Sequence, residues 1–319
     1  MKATKMKIAL VSGGDHKYYP MILEWIESVN RLKPADQTID LCILDAGLTQ
    51  EQRAVLKTRV QHIASPEWPA DLPAHKIKNK EFLKACAARP FLPHLFPDYD
   101  VYVWLDGDTW VQNWSAIELL IAGAQKSGLA ICPQVDRAYG KAMRLKWLGP
   151  FPFKARSFYY SNARRAFSGK VARELFPYPT LNAGVFAISG NAPHWDRWQK
   201  LIVKALEKGK VFTAEQLSLG MMVYLEKFSA EFLPATCNWL LENKPVWDED
   251  TQAFVEPFLP HQKVGIMHLS GCDKMRLDRS ITIDIKTKDG KDKTLSYRYP
   301  YYDGERDEAT ELSSSSEAA

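Results

Sequence analysis

No C-x-x-C pair occurs among the five cysteines of the chain, Cys42, Cys86, Cys132, Cys237 and Cys272, which are scattered and odd in number. This excludes a disulfide framework or a zinc knuckle as the organising device and points to reduced, mostly buried thiols in a cytosolic protein. Long apolar runs are also missing. The opening residues, MKATKMKIALVSGG, place only a short apolar stretch before Gly13, so neither a signal peptide nor an anchor is expected. The longest uncharged stretch, residues 175–195, holds three prolines, two glycines and two asparagines, which excludes a spanning helix. The net charge of +4 is too small to argue for nucleic acid, and none is expected as a partner. Charge of one sign is absent from a single segment. Residues 137–173 contain ten Lys or Arg and eight aromatics but no Asp or Glu.

What is present suits a globular protein with a sizeable core: 46% of the 319 residues are apolar and 25% charged. Short apolar runs at 7–13, 40–47, 101–107, 129–135, 183–189 and 264–270 alternate with segments of 3.6-residue periodicity at 19–32, 49–60, 80–92, 116–125 and 193–209. The alternation predicts an α/β fold, a mainly parallel sheet doubly wound by helices. Such sheets bind ligands beyond the carboxyl ends of their strands. Four of the runs end in polar or glycine-rich residues, so their chemistry should converge.

Residues 101–111 read VYVWLDGDTWV, an apolar run that stops at Asp106 and Asp108 with Gly107 between them. Two like charges this close are costly unless something positive sits between them. Mg²⁺ or Mn²⁺ takes oxygen ligands from one or two carboxylates and from substrate phosphates, and Mn²⁺ also accepts an imidazole. At a strand end, positions i and i+2 point the same way, so both carboxylates can face one ion, and Gly107 lets a ligand approach the backbone. Of the seven histidines, His268, at the end of its own apolar run, is the best third ligand. The plainer readings are a helix-capping Asp106, a solvated Asp108 and a hydrogen-bonded core histidine.

In order along the chain, VYVWLDGDTWV, LNAGVFAIS (181–189), AEQLSLG (214–220) and HLSGCDK (268–274) resemble the retaining glycosyltransferases of family eight, the glycogenin and lipooligosaccharide galactosyltransferase group with the GT-A fold. The family's D-x-D falls on Asp106, Gly107 and Asp108, and its N-A-G-V on Asn182, Ala183, Gly184 and Val185. Its D-Q-D falls on Glu215, Gln216 and Leu217, and its H-x-x-G-x-x-K on His268 through Lys274. The first strand leading into Ser12, Gly13, Gly14 and Asp15 and the stretch ILDAGLTQEQRAVL (43–56) match the family's opening. The resemblance covers about residues 7–275.

The resemblance implies a nucleotide-sugar-binding catalytic domain over residues 1–275, a UDP-sugar donor, and Mn²⁺ (or Mg²⁺) held under the diphosphate by Asp106, Asp108 and His268. It places Lys274 on the phosphates with the backbone at Gly271 close by, and Ser12, Gly13 and Asp15 at the uracil and ribose. Arg89, on the helix before the D-x-D strand, is implied to hold donor and carboxylates together. Asn182, Ala183, Glu215 and Gln216 are implied to line the sugar, with Gln216 stabilising an oxocarbenium-like centre. In a retaining reaction the departing phosphate oxygen takes the acceptor proton, so no protein base is required. Three positions depart from the family. Glu215 and Leu217 replace the two aspartates of D-Q-D, and Lys274-Met275-Arg276 stands where K-P-W is usual.

The basic, aromatic excursion 137–173 reads as an acceptor-side cover, because aromatics stack on sugar rings and cations suit an anionic acceptor or membrane surface. The expected partners are a nucleotide-sugar donor and a glycan or lipid-linked acceptor. A cytoplasmic protein with peripheral contact at the inner membrane face fits them. Residues 276–302 read as a β-hairpin extension around Asp289-Gly290, and the polar residues 303–319 as a disordered tail. Two readings compete. One is a haloacid-dehalogenase-type phosphohydrolase with Asp106 as nucleophile; the other is a sugar-nucleotide-binding protein in which Leu217 marks lost catalysis.

Overall fold

The computed structural model describes residues 5–140 and 144–302; the expected tail at 303–319 and residues 141–143 of the basic excursion lie outside them. Seven strands form the main sheet, in the spatial order Glu231–Phe232, Leu129–Pro133, Leu181–Ser189, Val101–Leu105, Lys7–Gly14, Thr38–Asp45 and His62–Ala64. Every neighbouring pair is parallel except the two made by Leu181–Ser189, which runs antiparallel to both its neighbours. The α/β class with a mainly parallel sheet is therefore borne out. The reversed strand has a consequence for the site: its first residues, not its last, lie where the parallel strands end.

The strand expected at 264–270 is not part of this sheet. Ile266–His268 pairs in parallel with Trp239–Leu240 and antiparallel with Thr109–Val111. Since Thr109–Val111 follows Val101–Leu105 directly, the Asp106-Gly107-Asp108 turn is the joint between the two sheets. A single apolar run thus supplies a strand to each.

The main sheet is covered on both faces, as its period-two pattern requires. Ile8, Leu10, Val101, Val103 and Leu105 pack with the helices Tyr19–Leu32 and Ser115–Ser127. Ala9, Val11, Tyr102, Trp104, Phe186 and Ile188 pack on the other side with His194–Lys208 and Val211–Gly220. The continuous helix expected over 80–92 is broken into Glu81–Leu83, Lys84–Ala88, Arg89–Phe91 and Leu92–Leu95. Pro90 and Pro93 lack the N–H that an unbroken helix needs. The break leaves Arg89 buried at a kink, facing the sheet.

A third core cluster joins Trp110, Trp239, Phe254 and Met267 to Met275, Ile285, Tyr297 and Tyr299 from the last part of the chain. There the hairpin Ile283–Lys286 and Asp292–Leu295 pairs antiparallel around residues 287–291, with Gly290 at φ +81°. Glu24, buried on the Tyr19–Leu32 helix, accepts from Arg298 Nη2 at 2.6 Å and Nε at 2.9 Å and pairs with Arg279. This clamps the C-terminal segment to the first helix. All five cysteines are unpaired. Among the described residues no helix is long and apolar enough to cross a membrane.

Candidate metal and donor site

The turn after Val101–Leu105 is fixed from both sides. Asp106 donates its N–H to the Gly184 carbonyl at 2.7 Å, and Thr109 donates its own to the Asp106 carbonyl at 3.0 Å. A Cβ on Gly107 would lie 2.6 Å from the Gly13 carbonyl oxygen, so the end of the first strand packs directly against the turn. Asp106, Asp108 and His268 each offer one ligand atom, and these atoms lie within 4.8 Å of one another. His268 Nε2 is 3.6 Å from Asp108 Oδ1 and 3.8 Å from Asp106 Oδ2.

The orientation of the imidazole follows from a chain of partners. Asn182 Oδ1 accepts the Gly184 N–H at 2.9 Å, so it is also the acceptor for Asn238 Nδ2 at 2.9 Å. That leaves Asn238 Oδ1 to face His268 Nδ1, also at 2.9 Å. Nδ1 therefore carries the proton, and the lone pair of Nε2 points at the carboxylates, the tautomer a metal ligand needs. Gly184 keeps the floor of the site clear. A Cβ there would meet His268 Cε1 at 2.5 Å and Asp106 Oδ2 at 2.7 Å.

Two arginines face the acids. Arg89 pairs through Nη2 with Asp106 and through Nη1 with Glu215 Oε1 at 2.6 Å, donates to the Ala183 carbonyl at 2.9 Å, and lies over the Trp104 ring at 4.6 Å. Trp104 Nε1 donates to Asp106 Oδ1 at 2.9 Å. Arg276 Nη2 is 2.7 Å from Asp108 Oδ2, and its Nε donates to the Leu269 carbonyl at 3.0 Å. Burial raises the Asp106 carboxyl above the usual range, against the pull of Arg89 and His268. Burial pushes Glu215 up to about 8, and Arg89 opposes it. Two carboxyl oxygens and an imidazole nitrogen converging on one point form a donor set that suits a divalent cation.

The remaining expected residues are distributed unevenly. Asn182 and Ala183 open the reversed strand beside the turn, and Ala183 donates its N–H to Gln216 Oε1 at 3.1 Å. Glu215 and Gln216 sit inside the helix Val211–Gly220, and Leu217 is turned away into the core. Ser12 is not in a loop. The strand runs on to Gly14, and Ser12 is fully buried, its Oγ without a hydrogen-bond partner among the described residues. The first loop begins at Asp15, whose Oδ1 accepts the Lys17 N–H at 3.0 Å. Gly271 adopts φ +76°, and Lys274 is exposed on the short helix Asp273–Leu277.

Asn238, Arg276 and Trp104 were not anticipated as site residues. Only Trp104 and Arg276 had a signal in the sequence, Trp104 as an aromatic two residues before Asp106 and Arg276 as a cation at the position where K-P-W is broken. Asn238 joins the site through the pairing of Trp239–Leu240 with Ile266–His268, which no local pattern announces.

No family model matches the chain, and no curated protein sequence matches it. Solved structures do show similarity. An active-site mutant of LgtC is 16% identical with a TM-score of 0.48, covering 82% of this chain and 87% of that one. The apo bifunctional glycosyltransferase WbbM is 16% identical with a TM-score of 0.47, over 78% of this chain. The apo glycosyltransferase GlyE of Streptococcus pneumoniae is 16% identical with a TM-score of 0.45, over 74% of this chain. This chain spans 40% of the length of WbbM and 47% of that of GlyE.

Proposed function

We propose that the protein is a metal-dependent, retaining glycosyltransferase of the GT-A type that moves a hexosyl group from a UDP-sugar to a hydroxyl of a glycan or lipid-linked acceptor. The observation that carries this reading is the meeting of Asp106, Asp108 and His268, from two different sheets, with ligand atoms within 4.8 Å and the imidazole tautomer set by Asn238.

Asp106, Asp108 and His268 would hold Mn²⁺ or Mg²⁺, which when bound supplies Lewis-acid neutralisation of charge on the leaving diphosphate. The chain's own groups complete the setting. Arg89 fixes Asp106 Oδ1 and Glu215, so the acids keep their places without a ligand and little reorganisation is needed when charge develops. Gly271 keeps backbone accessible on the nucleotide side, with Asp15 at the rim and Lys274 free of the core to reach phosphate. Gln216, anchored through Oε1 to Ala183, lies beside Asn182 and Glu215 as an uncharged amide facing the donor sugar. Glu215, buried and engaged through Oε1 by Arg89 at 2.6 Å, is a poor nucleophile, which favours proton uptake by the departing phosphate oxygen over a covalent sugar–enzyme route.

A phosphohydrolase needs Asp106 as a nucleophile, yet its Oδ1 is engaged by Arg89 and Trp104. The downstream acids Asp248, Glu249 and Asp250 are paired with Lys288 and Lys293. Calorimetry with UDP tests the proposal: binding should require Mn²⁺ and vanish in Asp108→Ala, and metal-independent binding that survives the substitution refutes it. Slow donor hydrolysis without acceptor separates an enzyme from a mere binder.

A further inference from the structure

The strands Arg144–Leu148 and Phe151–Arg156 form a two-stranded ribbon outside the main sheet. Its tip carries Trp147, Leu148 and Phe151, which are 60%, 68% and 73% exposed. Gly149 turns the tip at φ +58°, with nothing within 4 Å of where a Cβ would lie. Three large apolar side chains at the end of one ribbon are left in water, where each forgoes the burial that stabilises its kind.

Behind the tip, the register sets Lys146 opposite Lys154 and Arg144 opposite Arg156. No Asp or Glu occurs between residues 137 and 173. The ribbon therefore has an apolar end followed by two rungs whose register pairs basic residues, and one partner suits both. An anionic bilayer offers an apolar layer just beneath a layer of negative headgroups, in that order.

The roots of the ribbon stand at the site. On one side Tyr139 accepts the Leu240 N–H at 3.4 Å and packs edge-on against Trp239, next to Asn238. On the other, fully buried Tyr159 accepts the Leu181 N–H at 2.9 Å, next to Asn182. Asn238 and Asn182 are the two amides that orient His268.

We propose that the ribbon 144–156 is a membrane wedge: its tip seats in the interfacial layer of an anionic bilayer, its cation rungs meet the headgroups, and the metal site is thereby held beside an acceptor carried by that membrane. The proposed function enters only in what the bilayer presents to the site; the lipid contact does not depend on it.

The test is co-sedimentation of the full chain, without metal or donor, with phosphatidylcholine vesicles that contain or lack phosphatidylglycerol. Binding should need the anionic lipid, weaken with salt, and fall about tenfold or more in Trp147→Ser/Phe151→Ser. Phe212→Ser, which changes an equally exposed aromatic at 69% on the helix Val211–Gly220, should bind as the parent does. Mn²⁺-dependent UDP binding in the double variant, measured beside the parent, reports whether its site is intact. Loss of vesicle binding with UDP binding equal to the parent's supports the wedge even if neither protein binds UDP, since a matching melting curve then reports the fold. Equal binding to neutral vesicles, or anionic binding that the double variant retains, overturns it. Capture of a soluble polyanion such as heparin with the same affinity in parent and double variant, and no vesicle binding, overturns it as well.

Discussion

Arg89 joins Asp106 to Glu215, its two terminal nitrogens dividing between a carboxylate of the turn and a carboxyl of the helix Val211–Gly220, with the Ala183 carbonyl between them. The guanidinium is buried, as is Glu215, so neither partner has water to fall back on. The kink at Pro90 is what brings it there. The relationship connects the broken helix, the reversed strand and the turn in one polar node.

Removing the fork should therefore cost stability as well as function. Arg89→Met leaves Glu215 and Asp106 facing each other uncompensated, and breaking a buried ion pair by removing one partner typically costs about 3–5 kcal/mol. Arg89→Met/Glu215→Gln removes one of the stranded carboxyls and should recover part of the loss. Urea unfolding of the three proteins checks both, and equal stability of the single variant and the parent would falsify the node.

Asn238 acts on the site through His268. In Asn238→Ala nothing holds the proton on Nδ1, and losing such an outer partner of a ligating histidine typically costs about 10–100-fold in metal affinity. Mn²⁺ titration by calorimetry in the presence of UDP should show that loss with the fold intact by circular dichroism. Unchanged affinity would mean that the imidazole is oriented by something else.

Glu215 gives the protein a pH dependence of stability whose sign follows from its surroundings. Its folded pKa is raised, to about 8 from the ordinary 4.5, because burial disfavours the charged form. A raised folded pKa means that the contribution is fully present below about 4.5, declines as pH rises, and is gone once pH passes about 8. Glu215→Gln removes the titration. The parent should lose thermal stability relative to this variant between pH 5 and pH 8, read from melting curves of the metal-free proteins. Parallel curves across that range would show that Glu215 is ionised throughout.

Much of this was legible in the sequence, and the parts that were not share a cause. The apolar runs gave the sheet, since burial on both faces leaves a strong local pattern, and Asp106, Asp108 and His268 could be read because carboxylates at a strand end are costly without a partner. Strand direction was not legible: the pattern of residues 181–189 is the same whichever way the strand runs, yet the reversal decides that Asn182 and Ala183, at its start, reach the site. The path of residues 264–270 into a second sheet depends on Trp239–Leu240 and Thr109–Val111, which are too short to carry a period. Ser12 was expected at the uracil and ribose, but it is fully buried in the strand, and Gly13 after it lets the neighbouring backbone at Leu44 approach.

Arg276 stands against Asp108 where a divalent cation would compete for the same carboxylate, and the competition can be measured. Asp108 is buried and Arg276 is its partner at 2.7 Å, so Arg276→Ala strands a carboxylate in the metal-free protein and removes a rival for it at once. The metal-free variant should melt lower than the parent, while its affinity for Mn²⁺ rises by roughly tenfold, equivalent to about 1.4 kcal/mol of extra stabilisation at saturating metal. UDP affinity at saturating Mn²⁺ should move the other way, because a guanidinium displaced from Asp108 by the metal is well placed to pair with phosphate. Calorimetry with Mn²⁺ alone and then with UDP separates the two effects. A fall in Mn²⁺ affinity in the first titration would mean that Arg276 supports the acids instead of competing for them.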